Sequence, residues 1–222
     1  MEVLSKSSVK SKVLHTAIKM FLSSGYEKTT MREIAKEAEV NYGSLMFAFK
    51  NKESLVCELV GHVIDCQFDV ISEALEGKTD DKVIEYAMET TLQLYLAESS
   101  EYMREMYVVS YSMENSSRVI FNNITKKLQS IFGSHLPDLE EKDFYELEIA
   151  SAGIMRNFLM TKCDKYFTMD RKVKRFLETT FLVYRVSDEK INEAIEFVKG
   201  FDFNILVKET TERLLEYIES RI

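Results

Sequence analysis

Apolar residues return every three or four positions along almost the whole of this chain. A segment patterned in this way can bury its apolar stripe only as a helix packed on other helices. Val13, Ala17 and Phe21, flanked by Leu14, Ile18 and Leu22, predict a first helix over about 8–23, with Gly25 where a helix stop belongs. Thr30 reads as an N-cap, and Glu33 three residues on completes a capping box. Met31, Ile34, Ala35 and Ala38 give a short second helix, about 31–38. Leu45, Ala48 and Phe49 are the inward stripe of a short third helix starting near Asn41, with only Glu39 and Val40 between the two. A long fourth helix runs from Lys52 through Leu55, Leu59, Val63 and Phe68 to about Leu75.

Further helical faces follow: Ile84 to Tyr95, Phe121 to Ile131, Phe144 to Phe158, Val173 to Tyr184, Ile191 to Val198, and Val207 to Ile218. Seven glycines and one proline in 222 residues are too few turn formers for a β-sandwich or barrel. The expected fold class is all-α. The continuous fourth helix predicts two domains, 1–51 and 52–222, sharing a strut over about 52–76.

Several function classes drop out. The three histidines, His15, His62 and His135, have no metal-ligand spacing, the glycines stand singly, and no GxSxG nucleophile motif occurs. No enzyme, cofactor or metal site is therefore expected. No apolar run approaches the ~18 residues of a membrane span, and the first dozen residues carry no signal-peptide core. Cys57, Cys66 and Cys163 cannot all pair, which suits a reduced cytoplasmic setting, and Cys57 on the strut is expected buried and inert. The net charge of −8 is uneven: residues 1–60 carry nine Lys and Arg against seven Asp and Glu, so the acidic excess lies beyond them. Such a chain keeps nucleic acid to one end, although scatter in a short segment explains the imbalance equally well.

Two short helices joined by a tight turn and preceded by a longer helix suit a helix-turn-helix, whose second helix enters the major groove. On the third helix Leu45 and Phe49 point inward, Gly43 and Phe47 point away, and Tyr42 and Met46 flank them. At these residues the chain resembles the TetR family of bacterial transcriptional regulators. The resemblance runs from Ala17 to Leu55 and rests on Phe21, Gly25-Tyr26, Thr30, Ile34-Ala35, Gly43, Leu45, Phe49 and Lys52. It implies DNA contacts from Thr30, Met31, Arg32, Asn41, Tyr42, Gly43, Ser44, Met46, Phe47, Lys50 and Lys52. The chain departs from the family pattern at Glu39, where Gly is frequent in the turn. It departs again at Met46 and Phe47, which lack a phosphate-binding hydroxyl, and at Ala48, where His is frequent.

Plainer roles stand beside these. Thr30 is a cap whether or not it touches phosphate, and Tyr42 and Phe47 either pack within the domain or meet a base edge, sugar or thymine methyl. A lysine at a helix N-terminus opposes the dipole, which makes Lys52 a candidate for an external anion. Lys6, Lys10 and Lys12 form either a phosphate-gripping arm or a solvated tail.

In the larger domain most aromatic and methionine residues at helical spacing are core. The resemblance implies that a minority line an effector pocket, with Phe68, Tyr86, Tyr95, Met103, Met106, Tyr107, Met155 and Phe158 as candidates. Surplus carboxylates favour a cationic ligand or simply solubility. Ser151, Ala152 and Gly153 permit a close helix crossing, either internal or between subunits, and the resemblance places dimer contacts in the helices after Glu140. The expected function is a homodimeric, ligand-responsive regulator, a repressor, that binds a near-palindromic duplex operator and is released by a small hydrophobic effector. The alternative is a helical protein-binding adaptor that kept this architecture without reading DNA.

Overall fold

The computed structural model describes residues 6–219, with side chains described over 9–216. Among the described residues there are eleven helices and no strand: α1 (Lys6–Ser24), α2 (Met31–Glu37), α3 (Tyr42–Ala48), α4 (Lys52–Leu75), α5 (Lys82–Ser99), α6 (Glu101–Ser112), α7 (Glu114–Phe132), α8 (Glu141–Met160), α9 (Met169–Val183), α10 (Asp188–Val198) and α11 (Phe203–Glu219). No described helix is long and apolar enough to cross a membrane.

Local chemistry sets the boundaries at the amino end. Gly25 stops α1 at φ +92°, and its N–H donates to Phe21 O at 3.0 Å. The Thr30 hydroxyl oxygen accepts from Glu33 N while the Glu33 carboxylate accepts from Thr30 N, so the capping box closes as its spacing required. Glu39 takes the left-handed turn at φ +53° without glycine's freedom, at a cost of about 1–2 kcal/mol. Val40 N donating to Ala35 O at 3.0 Å completes the turn that reverses the chain into α3.

One helix went unassigned by sequence pattern. Residue 100 alone separates α5 from α6, and its serine hydroxyl caps α6 by accepting from Met103 N. A single capping residue between apolar segments leaves almost no gap in the periodicity.

Two apolar clusters share α4. The first gathers Val13, Ala17 and Phe21 of α1, Ile34 and Ala35 of α2, Leu45, Phe49, and Leu55 to Ile64 of α4, closed from the far side by Ile120 and Leu214. The second takes α4 from Val70 to Leu75 and builds on α5, α8, α9 and α10. At its centre, the ring of Phe132 stacks on Tyr184 with centroids 4.1 Å apart and edges against Tyr86 and Phe181. From Tyr86 to Ala97 only Tyr95 of α5 escapes burial, so α5 is the central helix of the larger bundle.

Candidate DNA-binding surface and internal cavities

The α2–α3 pair has an inside and an outside. Leu45 and Phe49 are fully buried, which fixes the roll of α3 and turns its other face to solvent. On that face Phe47 is 77% exposed and Tyr42 42%, with Asn41, Gly43 and Ser44 also exposed and Met46 half-buried. Asn41 caps α3 through Gly43 N at 2.8 Å. The Arg32 guanidinium lies 5.8 Å from the Tyr42 ring centroid, joining α2 to α3 at the outer edge. Lys50 is exposed just past α3, and Met31 is half-buried at the start of α2. A side chain added at Gly43 would approach only the Asn41 carboxamide, so this patch is open to a surface that docks flat.

Three expectations change in this region. Lys52 has partners within its own chain: its ammonium donates to Tyr26 O at 2.7 Å and Thr29 O at 3.0 Å, sits 4.0 Å from the Tyr26 ring centroid, and keeps a third donor. Carbonyls of its own chain offset the dipole at the α4 N-terminus. The Thr30 hydroxyl already gives its proton to Glu33 at 2.8 Å, which leaves no donor for phosphate. That bond, followed by the backbone one, holds the Glu33 carboxyl below its ordinary range. Lys10 and Lys12 are no arm: both lie within α1, and Lys10 pairs with Glu58 of α4 beside the Phe49 ring. The Lys6 side chain lies outside the described ones.

The α1–α2 turn is tied to the larger bundle as well. Tyr26 N and Glu27 N both donate to the Glu105 carboxylate of α6, at 3.1 and 2.9 Å. A Cβ at Gly25 would stand 2.7 Å from that same carboxylate. Asn115 N, at the start of α7, donates to Glu53 of α4 at 2.9 Å.

Between the clusters lies a cavity of about 70 Å³ with mainly apolar walls. Ile18 and Leu22 of α1, Leu59, Val63 and Gln67 of α4, and Met103, Met106 and Tyr107 of α6 line it, with Gln93 and Tyr111 at one end. Gln67 donates to the Tyr107 hydroxyl. Beyond Gln93 and Tyr111 is a second space of about 30 Å³, lined by Phe68, Tyr86, Glu89, Lys127, Glu148, Ser151 and Met155 among others. Of the eight expected pocket residues, Met103, Met106 and Tyr107 line the first space and Phe68, Tyr86 and Met155 the second. Tyr95 and Phe158 line neither: Tyr95 stacks on Phe203 at 4.9 Å, and Phe158 packs against Phe167 and Phe176. Sequence reasoning missed Gln67, Gln93, Glu89 and Glu148. A signal existed for Glu89, which is the only charged residue between Glu85 and Glu98.

Burial, opposed by a hydrogen bond from Gln93, pushes the Glu89 carboxyl up to about 7. The same cause raises Glu148 to about 8 against the bond from Ser151. Cys57 is half-buried rather than buried, and burial raises its thiol further above neutrality. Ser151 and Ala152 are buried in the bundle, whereas Gly153 faces open space. Among the described residues no group of three His, Cys, Asp or Glu is placed to hold a metal.

Two short helices on a buried platform, the second with one open face, have the arrangement of a helix-turn-helix. Residues 13–59 match the family model described as bacterial regulatory proteins, tetR family. The probable HTH-type transcriptional regulator YttP of Bacillus subtilis strain 168 is 25% identical over 157 residues, 69% of each chain. YuxN of the same strain is 30% identical over 80 residues, 36% of this chain and 27% of that protein's length. The HTH-type regulator QacR of Staphylococcus aureus strain Mu50 is 40% identical over 53 residues, 24% of this chain and 28% of QacR. Among solved structures, RolR in complex with resorcinol matches with TM-score 0.65 at 14% identity, over 87% of this chain and 94% of that one. SmeT, repressor of the Stenotrophomonas maltophilia multidrug efflux pump SmeDEF, matches with TM-score 0.54 at 16% identity, over 81% and 91%. At such identities the likeness is one of fold. Residues 13–59 are thus similar to the DNA-binding region of tetR-family regulators, and the rest of the chain shares the fold of such proteins.

Proposed function

We propose that this chain works as a homodimeric repressor that releases its operator when a small molecule fills the cavity between its two clusters. The position of that cavity carries the reading: α1, α4 and α6 all wall it. An occupant that parts these helices moves α4 beneath the reading helix, and with it Glu105, which holds the Gly25–Glu27 turn ahead of α2. A ligand shifts such an equilibrium only by its preference for one of the two arrangements.

In the dimer two copies of α3 would enter successive major grooves about 34–36 Å apart on a near-palindromic site. Tyr42, Gly43, Ser44 and Phe47 would meet base edges and sugars, with Arg32 and Lys50 at the flanks. One face of α8 suits the subunit contact: Ile149, Gly153, Asn157 and Met160 recur at helical spacing, all exposed. Ile149→Glu is expected to give a monomer by light scattering and to weaken operator binding. A dimer of unchanged stability would place the contact elsewhere.

Titration with duplex DNA at several salt concentrations tests the central claim. A regulator loses affinity steeply as salt rises, by a log–log slope of about −0.9 per phosphate neutralised. No binding to any duplex would favour the adaptor alternative instead.

A further inference from the structure

The two spaces differ in chemistry yet share a wall. Gln93, Tyr111 and Ile124 line both. The partition is held by hydrogen bonds: the Tyr111 hydroxyl donates to Gln93 Oε1 at 2.9 Å, and Gln93 Nε2 donates to Glu89 Oε1 at 2.6 Å. Separately the spaces hold a few waters at most. Swinging the Gln93 side chain aside joins them, and the unbranched Met103 and Met106 can repack to widen the apolar end.

Resting on the ligand-responsive reading above, we propose that the effector is an amphiphilic organic cation. Its apolar body would occupy the first space and its ammonium head would lie against Glu89 and Glu148 in the second.

Glu89 and Glu148 are 3% and 5% exposed, and neither takes part in an ion pair among the described residues. One oxygen of each is bonded, Glu89 Oε1 by Gln93 and Glu148 Oε2 by Ser151 at 2.7 Å; no described group donates to the other oxygen of either. Burial keeps these two carboxyls protonated more readily than free ones, with Lys127 the one cation lining their space, so a cationic head seated between them would favour their ionised form and gain two charged acceptors. An ammonium head would supply the donor that Gln93 now gives Glu89, so opening the partition leaves no carboxylate oxygen worse off. The rings of Phe68, Tyr86 and Tyr111 offer faces to the same charge. The site already tolerates a cation, since the Lys127 ammonium stands 3.1 Å from the Phe68 ring centroid at the chamber wall. A bare divalent metal is a poor fit, because no third His, Cys, Asp or Glu joins the pair. An anionic effector would meet two carboxyls, and a neutral one would leave both unanswered.

Calorimetry on the full chain with 4-phenylbutylamine and its neutral counterpart 4-phenylbutanol tests this. The amine should bind at least about tenfold tighter, the preference a desolvated charge contact supplies. The double variant Glu89→Gln, Glu148→Gln should lose that preference while retaining the alcohol's affinity. Lys127→Met, at a partly exposed site, should raise amine affinity several-fold without changing the alcohol's. Equal binding of the two probes, no binding of either below about 1 mM, a preference surviving in the double variant, or an unaltered amine affinity in Lys127→Met would each overturn the proposal. Duplex binding by the unmodified chain, measured alongside, decides the regulator reading separately: its failure would not alter the probe comparison.

Discussion

Replacing Glu148 with Gln should protect the protein from unfolding in mild alkali, relative to the parent, and not in mild acid. The Glu148 side chain is almost wholly buried, bonded to Ser151, whose hydroxyl accepts in turn from Tyr184 at 2.8 Å. Glu89 and Tyr86 of α5, Tyr111 of α6 and Lys127 of α7 line the chamber it faces, with Tyr184, just past α9, reaching it through Ser151. Desolvation raises its carboxyl from 4.5 to about 8, so the folded state holds a proton that the unfolded chain has released. Because the folded value is raised, this group's stabilising protonation is fully present below pH 4.5. It is lost progressively as the pH climbs through 8. At about 1.4 kcal/mol per pH unit, the whole interval is worth at most about 5 kcal/mol. Gln keeps the shape and a hydrogen-bonding amide but cannot ionise. Urea unfolding at pH 5 and pH 8.5, at one fixed protein concentration, should show the parent losing about 2–5 kcal/mol relative to Glu148→Gln. Profiles that stay parallel within about 0.5 kcal/mol would refute the claim that burial sets this proton's affinity.

The remaining expectations concern the reading head. Lys52→Met should lower the head's stability by about 1–2 kcal/mol, since two carbonyl contacts to a charged donor are lost at a partly exposed site. The salt slope of DNA binding should stay unchanged; a slope reduced by about 0.9 without destabilisation would return Lys52 to phosphate. Tyr42→Ala should leave folding intact and relax base preference at one or two operator positions, by about 1–3 kcal/mol in a competition assay. Uniform weakening across all sequences would make Tyr42 a backbone contact instead.

How much of this was legible beforehand depended on the range of the interactions. Gly25, the Thr30–Glu33 box and the inward pair Leu45 and Phe49 were readable because each rule operates within one turn of helix. The same reading put Phe47 on the open face. The internal partners of Lys52 were not legible because its acceptors, Tyr26 O and Thr29 O, lie 26 and 23 residues away, where no periodic rule reaches. The α5–α6 junction was missed for the opposite reason, since its only marker is Ser100. Glu89 and Glu148 were invisible as a pair because their proximity depends on how α5 packs on α8. Tyr95 and Phe158 illustrate how little aromatic type alone says: both meet other rings rather than a void.

The division of α4 between two clusters gives it a fulcrum. Its fully buried apolar side chains stop at Ile64 and resume at Val70, and in that interval it presents Gln67 to one space and Phe68 to the other. From Gln67 to Lys52 is about 22 Å of helix at 1.5 Å per residue. On the ligand-responsive reading proposed above, a tilt of about 5° at this point would carry the far end sideways by about 2 Å, a leverage by which a slight adjustment among a few side chains would displace α3 from its groove.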